Sequence, residues 1–362
     1  MSRSKIAVLF GLSLLVLMSS CASPATPQVV EKIVEKVVVV TAQPVPVIKL
    51  VHLNVPLGWV NNDEFVALQV AQAKGFYAEA GLDVNLISGG GSTGFDPLVA
   101  IMGFDDSIRI GVPAAMSLVV KAKSEGIDVV AVAALTQEEP GGFIALTKYA
   151  PQATGPCDFK GKVVSMQTEA TWYVDALGKQ CVTGALVAGE DFTVVPAGWT
   201  PDCLLATGAN RCDFYCGWAT NQVFGLEQQG LKLGVDFQFF LASKYLPFHY
   251  ADVIVVNGAW ARKNPEIVRG FVQASMKGLQ YTLDHPDEAV QISGAVPGMD
   301  LAHATWRIPI QNRLVTNEDT AKFGVGYIDV GKVQDMINLL AEKDQIKTEF
   351  DASTVVDSSY LK

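Results

Sequence analysis

The residues best suited to chemistry are aromatic rings and polar side chains set beside helix starts, a combination that serves recognition and not bond-breaking. Trp59, Asn61 and Asp63 lie between the chain-breakers Pro56 and Gly58 and a helical pattern that puts Phe65, Leu68 and Ala71 on one face. An indole stacks on flat rings, an amide gives and takes hydrogen bonds, and a carboxylate accepts N–H groups. Asp63 is equally suited to capping the helix. Further on, Gly89, Gly90, Gly91 and Ser92 follow an apolar run, where glycine lets backbone N–H groups approach a ligand. With Gly94 these residues also fit the dinucleotide spacing G-x-G-x-x-G, but the motif follows the second strand of its lobe. No H-E-x-x-H motif occurs, and His249 has no nucleophile near it in the chain. His52 is expected as a hydrogen-bonded core residue.

The elements that position these residues alternate strand and helix. Ile48–Leu53 is nearly all apolar, as in a strand buried on both faces, and Gly75 ends the helix that follows. Strands are expected at Leu82–Ser88, Ser107–Val112 and Val129–Leu135, with helices near Phe95–Met102 and over Ala114–Glu125. Pro140-Gly141-Gly142 breaks the pattern. A second cycle follows, with strands at Phe143–Thr147, Lys162–Met166, Phe192–Val195, Cys212–Tyr215 and Ala251–Val256. Helices begin at Trp172, Cys203, Asn221 and Asn264, and the chain from Asp287 is mostly helical. This reads as an α/β fold of two lobes, each a mostly parallel sheet flanked by helices, joined by two hinge crossings.

The chain has 362 residues and a formal charge of −10, so no basic stripe is present for a nucleic-acid partner. Arg3 and Lys5, the apolar run Ile6–Met18, and Ser19-Ser20-Cys21 have the form of an export signal over residues 1–20. The proline-flanked repeat EKIVEKVVVV within 21–47 reads as a flexible tether, or as a short self-associating segment. Cys157, Cys181, Cys203, Cys212 and Cys216 remain, which outside the cytoplasm favours disulfides with one thiol left over. Spacing does not fix the pairing; Cys157 with Cys181, and Cys203 with Cys212 or Cys216, is the arrangement expected. Cys212-x-x-x-Cys216 lacks a second pair, so no metal site is expected.

Three stretches carry a resemblance: GFYAEAGLDV at 75–84, DFKGKVV at 158–164, and NPEIVRGFVQASMKGLQYTLDHPDEAV at 264–290. They resemble the periplasmic substrate-binding proteins of ABC importers, in the subgroup that binds nitrate, sulfonates, thiamine-pyrimidine precursors or riboflavin. The resemblance covers roughly Ile48 to Lys347 and is closest in look to riboflavin-binding proteins. It implies a two-lobed type II periplasmic binding protein, with a first lobe over 48–142, a second over 143–252 and a return segment over 253–362. The N-terminus resembles a lipoprotein signal, which implies lipidation of Cys21 and a chain anchored to the outer face of the cell membrane. A permease and its ATPase are the implied partners. The subgroup's synthase branch carries a cofactor-binding lysine and a consumed histidine where Pro113 and Ser117 stand here, and a cysteine-rich motif where LPFHY stands at 246–250. None of that chemistry is present, so the chain reads as a binder without a cofactor.

In a type II clamp the ligand loops are 58–64, 89–94, 113–117, 167–173, 217–221 and 248–252, and none contains lysine or arginine. They offer Asn61, Asp63, Gln167, Glu169, Asn221 and Asp252 beside Trp59, Trp172, Trp218 and Tyr250, with Gly90, Gly91, Ser92 and Pro113 supplying backbone. Glu169 falls where the synthases carry a glutamate. Such a set suits a neutral or weakly cationic flat ring that donates N–H groups to carboxylates. Riboflavin is the expected ligand, and an aminopyrimidine precursor of thiamine is the alternative. Trp172 and Trp218 are as suited to core packing as to the cleft, and Trp199, Trp260 and Trp306 are assigned to packing. A surface scaffold or a receptor-coupled sensor is a competing class with the same fold.

Overall fold

The computed structural model describes residues 50–362 apart from 91–94, 167–170 and 197. The export signal, Cys21 and the tether lie outside these residues, as do Gly91, Ser92, Gln167 and Glu169.

Two sheets share one strand order. In the first lobe β1 (Val51–Pro56) pairs in parallel with β2 (Leu82–Ile87). The strands β3 (Ile110–Gly111) and β4 (Val129–Ala134) flank β10 (Val253–Asn257), which is antiparallel to both. Leu57 bridges to Val112, and Val112 N donates to Pro56 O at 2.9 Å, which joins the strands in the order β2-β1-β3-β10-β4. In the second lobe β5 (Gly141–Leu146) lies antiparallel between β8 (Phe214–Trp218) and β9 (Phe237–Leu241). There β6 (Val163–Met166) pairs in parallel with β7 (Thr193–Pro196) and β8, giving β7-β6-β8-β5-β9. Each lobe thus takes one antiparallel strand from the chain arriving out of the other lobe.

The two crossings run side by side. Leu135 N donates to Asp252 O at 2.9 Å, and Thr136 Oγ1 donates to Ala251 O at 2.8 Å. These bonds satisfy buried backbone groups where the chain leaves its sheets.

The core of the first lobe sits between its sheet and the helix Pro265–Asp284, where Val268, Phe271, Val272 and Leu279 repeat at helical spacing and are buried. Pro265 at the first helical position suits that start, because its missing N–H would be unbonded there anyway. The later helices Pro286–Gly294, Leu301–Val315 and Val330–Glu342 also pack back, through Ala289, Ile308 and Met336 among others. The second lobe is built on Phe143, Phe159, Phe214 and Phe240, whose rings meet at 5.0 to 6.4 Å.

Four expectations need correction. β1 is not buried on both faces: Val51 and His52 lie in solvent and only Leu53, Val55 and Pro56 are buried. His52 is therefore not a core residue; its Nδ1 lies 2.8 Å from Asp83 on the neighbouring strand, in the exposed register of the pair. Gly141 and Gly142 do not break the chain but open β5, because a side chain on Gly142 would run into the Phe240 carbonyl of β9. β9 itself is an additional strand, paired with β5 at the edge of the sheet.

Disulfides join Cys157 to Cys181 and Cys203 to Cys212, both in the second lobe. Cys216 belongs to neither, and burial, with Glu139 adding to it, pushes its thiol up to about 12. Among the described residues no helix is long and apolar enough to cross a membrane, and no cluster of His, Cys, Asp and Glu is placed to hold a metal.

Candidate ligand cleft

A cavity of about 230 Å³ opens between the lobes at the carboxyl ends of their strands, the position that open α/β sheets use for ligands. Its first-lobe wall is Gly58, Trp59, Asn62, Glu64, Ala114 and Arg307. Gly58 is required by close approach: a side chain there would meet the backbone nitrogen of Ala114.

The loop after β1 ends in a 3-10 turn, Asp63–Phe65, which runs into the helix Val66–Ala73. Asn62, not Asp63, caps it, accepting Glu64 N at 2.9 Å. Asp63 is fully buried and is spent on structure: Oδ2 lies 2.6 Å from His303 Nδ1, and Oδ1 lies 3.5 Å from Arg307 Nη1. Arg307 comes from the helix Leu301–Val315, whose positions 303, 307 and 311 fall on one face at successive i, i+4 steps. Its Nε donates to Gln311 Oε1 at 3.0 Å, its Nη2 lies 3.3 Å from Glu64 Oε2, and Gln311 Nε2 donates to the Glu64 carbonyl at 2.8 Å. The cleft therefore does hold a cation. None of the six loops supplies it; the return segment does.

Behind Glu64 the second crossing adds Asp252. Burial, then the adjacent Glu64 carboxylate, push Asp252 well above the ordinary carboxylate range, which favours its neutral form. Tyr250 and Asp252 both have left-handed backbones, at φ 63° and 54°. Such strain in non-glycine residues costs on the order of 1–3 kcal/mol each and concentrates at functional sites. Tyr250 is held by Met116 N on its carbonyl and Asp329 N on its hydroxyl, so its side chain reaches the start of the helix Val330–Glu342 and does not line the cavity. On the first crossing, burial pushes Glu139 up to about 7.

The second-lobe wall is neutral. Trp199, Trp218, Thr220, Asn221 and Gln222 line it. Gln222 braces two of them, accepting Trp218 N at 2.8 Å and donating to Trp199 O at 3.2 Å. Trp199 is not a packing residue: it is 61% exposed and its ring lies 5.6 Å from Trp59 across the cleft. It lies four residues before Cys203, outside the loop that the Cys203–Cys212 disulfide closes, and is held by the Gln222 hydrogen bond to its carbonyl. The lobes also touch outside the cavity, where Trp306 Nε1 donates to Glu227 Oε2 at 2.7 Å and Phe224 packs on His303 and Trp306.

Of the other expected site residues, Gly90 and Pro113 line a neighbouring first-lobe hollow of about 270 Å³. Asn61 faces away, accepting Gln69 Nε2 at 2.9 Å. Trp172 packs on Tyr173 and Phe248 as part of the second-lobe core. Sequence reasoning missed Arg307 and Trp199. The signal for Arg307 was the polar stripe His303, Arg307 and Gln311 on a helix whose Ala304 and Ile308 are buried.

A two-lobed α/β clamp, with its polar and aromatic groups gathered between the strand ends, defines the solute-holding class to which periplasmic binding proteins belong. The chain belongs to the NMT1/THI5-like family, whose family model matches residues 62–289. It is 27% identical over 323 residues to the riboflavin-binding protein RibY of Chloroflexus aurantiacus, covering 88% of this chain and 87% of that one. It is 24% identical over 275 residues to the formylaminopyrimidine-binding protein of Halalkalibacterium halodurans, covering 75% and 72%. The periplasmic nitrate-binding protein NrtA of Synechocystis shares the fold, with a TM-score of 0.61 at 15% identity over 86% of this chain and 87% of that one.

Proposed function

We propose that this protein is the solute-capturing component of an ABC importer and that it holds riboflavin between its lobes. The observation that carries this reading is the cavity itself: three indoles, Trp59, Trp199 and Trp218, surround a polar end made by Glu64, Arg307 and Thr220. Stacking area with a few convergent polar groups is what a flat heterocycle needs. The likeness to RibY along most of both chains supports the flavin. The cavity volume favours a second reading, a formylaminopyrimidine, since about 230 Å³ is below the roughly 300–1,000 Å³ usual for drug-sized ligands. The relatives this chain resembles include a binder named for each kind of ring.

The protein works by capture and closure. Solute bridges the aromatic wall of the second lobe and the ionic wall of the first, and the closed lobes present a loaded surface to a permease and its ATPase. No reaction is assigned. Pro113 and Ser117 replace the synthases' lysine and histidine. Gly90-Gly91-Ser92-Thr93-Gly94 has the spacing of a hydrolase elbow, but apart from Gly90 it lies outside the described residues. Export and a lipid on Cys21 complete the proposal; Cys21→Ser is expected to move the chain from the membrane fraction to the soluble one.

Titration of riboflavin fluorescence with the purified full chain tests the ligand. Saturable quenching at low ligand is expected. Binding of formylaminopyrimidine with no flavin response transfers the reading to the smaller ring.

A further inference from the structure

We propose that Glu64 and Arg307, with Thr220 closing from the opposite lobe, read one edge of the bound ring: a hydrogen-bond acceptor next to an N–H donor. The inference rests on the reading that the cleft holds a nitrogen heterocycle and says which part of it is recognised.

The two first-lobe groups form a donor–acceptor pair already in register. Arg307 Nη2 and Glu64 Oε2 are 3.3 Å apart, both residues are more than nine-tenths buried, and both line the cavity. Each Nη of a guanidinium carries two N–H groups, and a carboxylate oxygen accepts more than one hydrogen bond. Asp63 and Gln311 fix the guanidinium from behind through Nη1 and Nε, which leaves its cavity side to a ligand acceptor. Asp252, on the second crossing, lies beside Glu64, which itself lines the cavity. Pre-set pairs of this kind select ligands strongly, because a ring without the matching groups leaves buried donors and acceptors unpaired.

Thr220 supplies the second, independent observation. Its Oγ1 is buried, lines the same cavity, and has no hydrogen-bond partner among the described residues. Buried hydroxyls are normally satisfied, so one that faces a ligand cavity marks a place where the ligand completes the set. Thr220 stands on the lobe opposite Arg307 and Glu64, so its bond forms only when the lobes are closed on the ring.

The edge occurs in two chemical forms. A ring carbonyl beside a ring N–H, as in the pyrimidinedione of a flavin, presents it as a lactam. A ring nitrogen beside an amino group, as in an aminopyrimidine, presents it as an amidine. The shared chemistry is the adjacent acceptor and N–H donor.

The test needs the full chain, riboflavin, 3-methylriboflavin, formylaminopyrimidine and its 4-dimethylamino analogue, which has no N–H at that edge, with Glu64→Gln and Thr220→Val variants. Methylation of the edge N–H is expected to weaken binding of whichever ring is held by about 100-fold in the unmodified protein. In Glu64→Gln the same methyl is expected to cost no more than about threefold, because the bond it blocks is already weakened; a purely steric effect would keep the full loss. Thr220→Val, which keeps shape and leaves the first-lobe ion pairs intact, is expected to weaken binding about 10-fold. Equal binding of parent and methylated rings, or an undiminished methyl penalty in Glu64→Gln, overturns the edge assignment while the importer reading stands. An unchanged Thr220→Val removes Thr220 from it. A methyl-sensitive pyrimidine with no flavin binding keeps the edge and overturns riboflavin. Failure of both parent rings to bind overturns the edge and the proposed ligand class together.

Discussion

The two walls of the cleft sit on sheets of the same strand order, β2-β1-β3-β10-β4 and β7-β6-β8-β5-β9, yet they are held in place by different physics. The first-lobe wall is ionic: Asp63, Glu64 and Arg307 are buried, tied to one another and to a helix from the far end of the chain. The second-lobe wall is neutral and aromatic, braced by Gln222, and both disulfides lie in its lobe. One topology has thus been given a charged jaw tied by buried ion pairs and an uncharged jaw braced by Gln222, in a lobe that also carries both covalent links. The difference teaches where each jaw is vulnerable.

The largest effect is expected in the ionic jaw. Arg307→Met leaves Asp63 and Glu64 buried without their cation, and breaking a buried pair from one side costs about 3–5 kcal/mol. Urea unfolding of the variant should show that loss. A change below about 1 kcal/mol would mean that packing, and not charge, holds this wall.

Next come the covalent links of the second lobe. Replacing Cys157 and Cys181 by serine opens a link between residues 24 apart, and replacing Cys203 and Cys212 opens one of 9. Chain entropy gives losses of about 3.5 and about 2.6 kcal/mol. Thermal unfolding with and without dithiothreitol measures both, and the reductant should leave the stability of the double-cysteine variants unmoved at the opened site. The shorter link begins four residues after Trp199, so its loss is expected to lower stability more than ligand binding.

The crossings offer a third test. Burial holds the Glu139 pKa at about 7 in the folded chain, above its ordinary value of 4.5, so between these values the folded state binds more protons than the unfolded one. Stability contributed by neutral Glu139 is therefore present below about pH 4.5 and lost as pH rises towards 7. Glu139 keeps contact with solvent, which reduces the effect to about 1.5 kcal/mol. Unfolding free energies at pH 5 and pH 8 should differ by that much more in the unmodified chain than in Glu139→Gln; identical pH slopes would place the charge in solvent at both ends of the range.

The contrast between the jaws also separates what sequence made legible from what it hid. Alternating strands and helices, the capped helix after Asn62 and the amphipathic helix at 265–284 are local patterns, and each is visible in the order of residues. The aromatic jaw was partly legible for the same reason, since Trp218 ends its strand and Asn221 comes three residues later. The ionic jaw was not, because Arg307 meets Asp63 across 244 positions of chain and no local rule brings them together. β9 was legible and was overlooked: FQFFL is an aromatic run that follows Gly234 and Asp236 and ends before Ser243, the local pattern of a strand, and it pairs with β5. His52 failed because an apolar run of neighbours does not tell a strand covered on two faces from one covered on one.

The smallest expected effect joins the jaws. Trp306 on the ionic side donates to Glu227 on the aromatic side at 2.7 Å, with Phe224 filling the contact against His303. The helix that carries Trp306 also carries Arg307, so a ligand that orders Arg307 orders the latch, and by linkage the latch favours the ligand. Trp306→Phe keeps the ring packing and removes the hydrogen bond, a change of about 1 kcal/mol, or roughly fivefold in affinity through the closed population. The loss should appear in the dissociation rate, because the bond exists only after closure. Glu227→Gln should cost less, and the double variant should cost no more than Trp306→Phe alone. Additive losses, or a change confined to the association rate, would make the contact a surface feature of each lobe and leave closure to the ligand and the hinge.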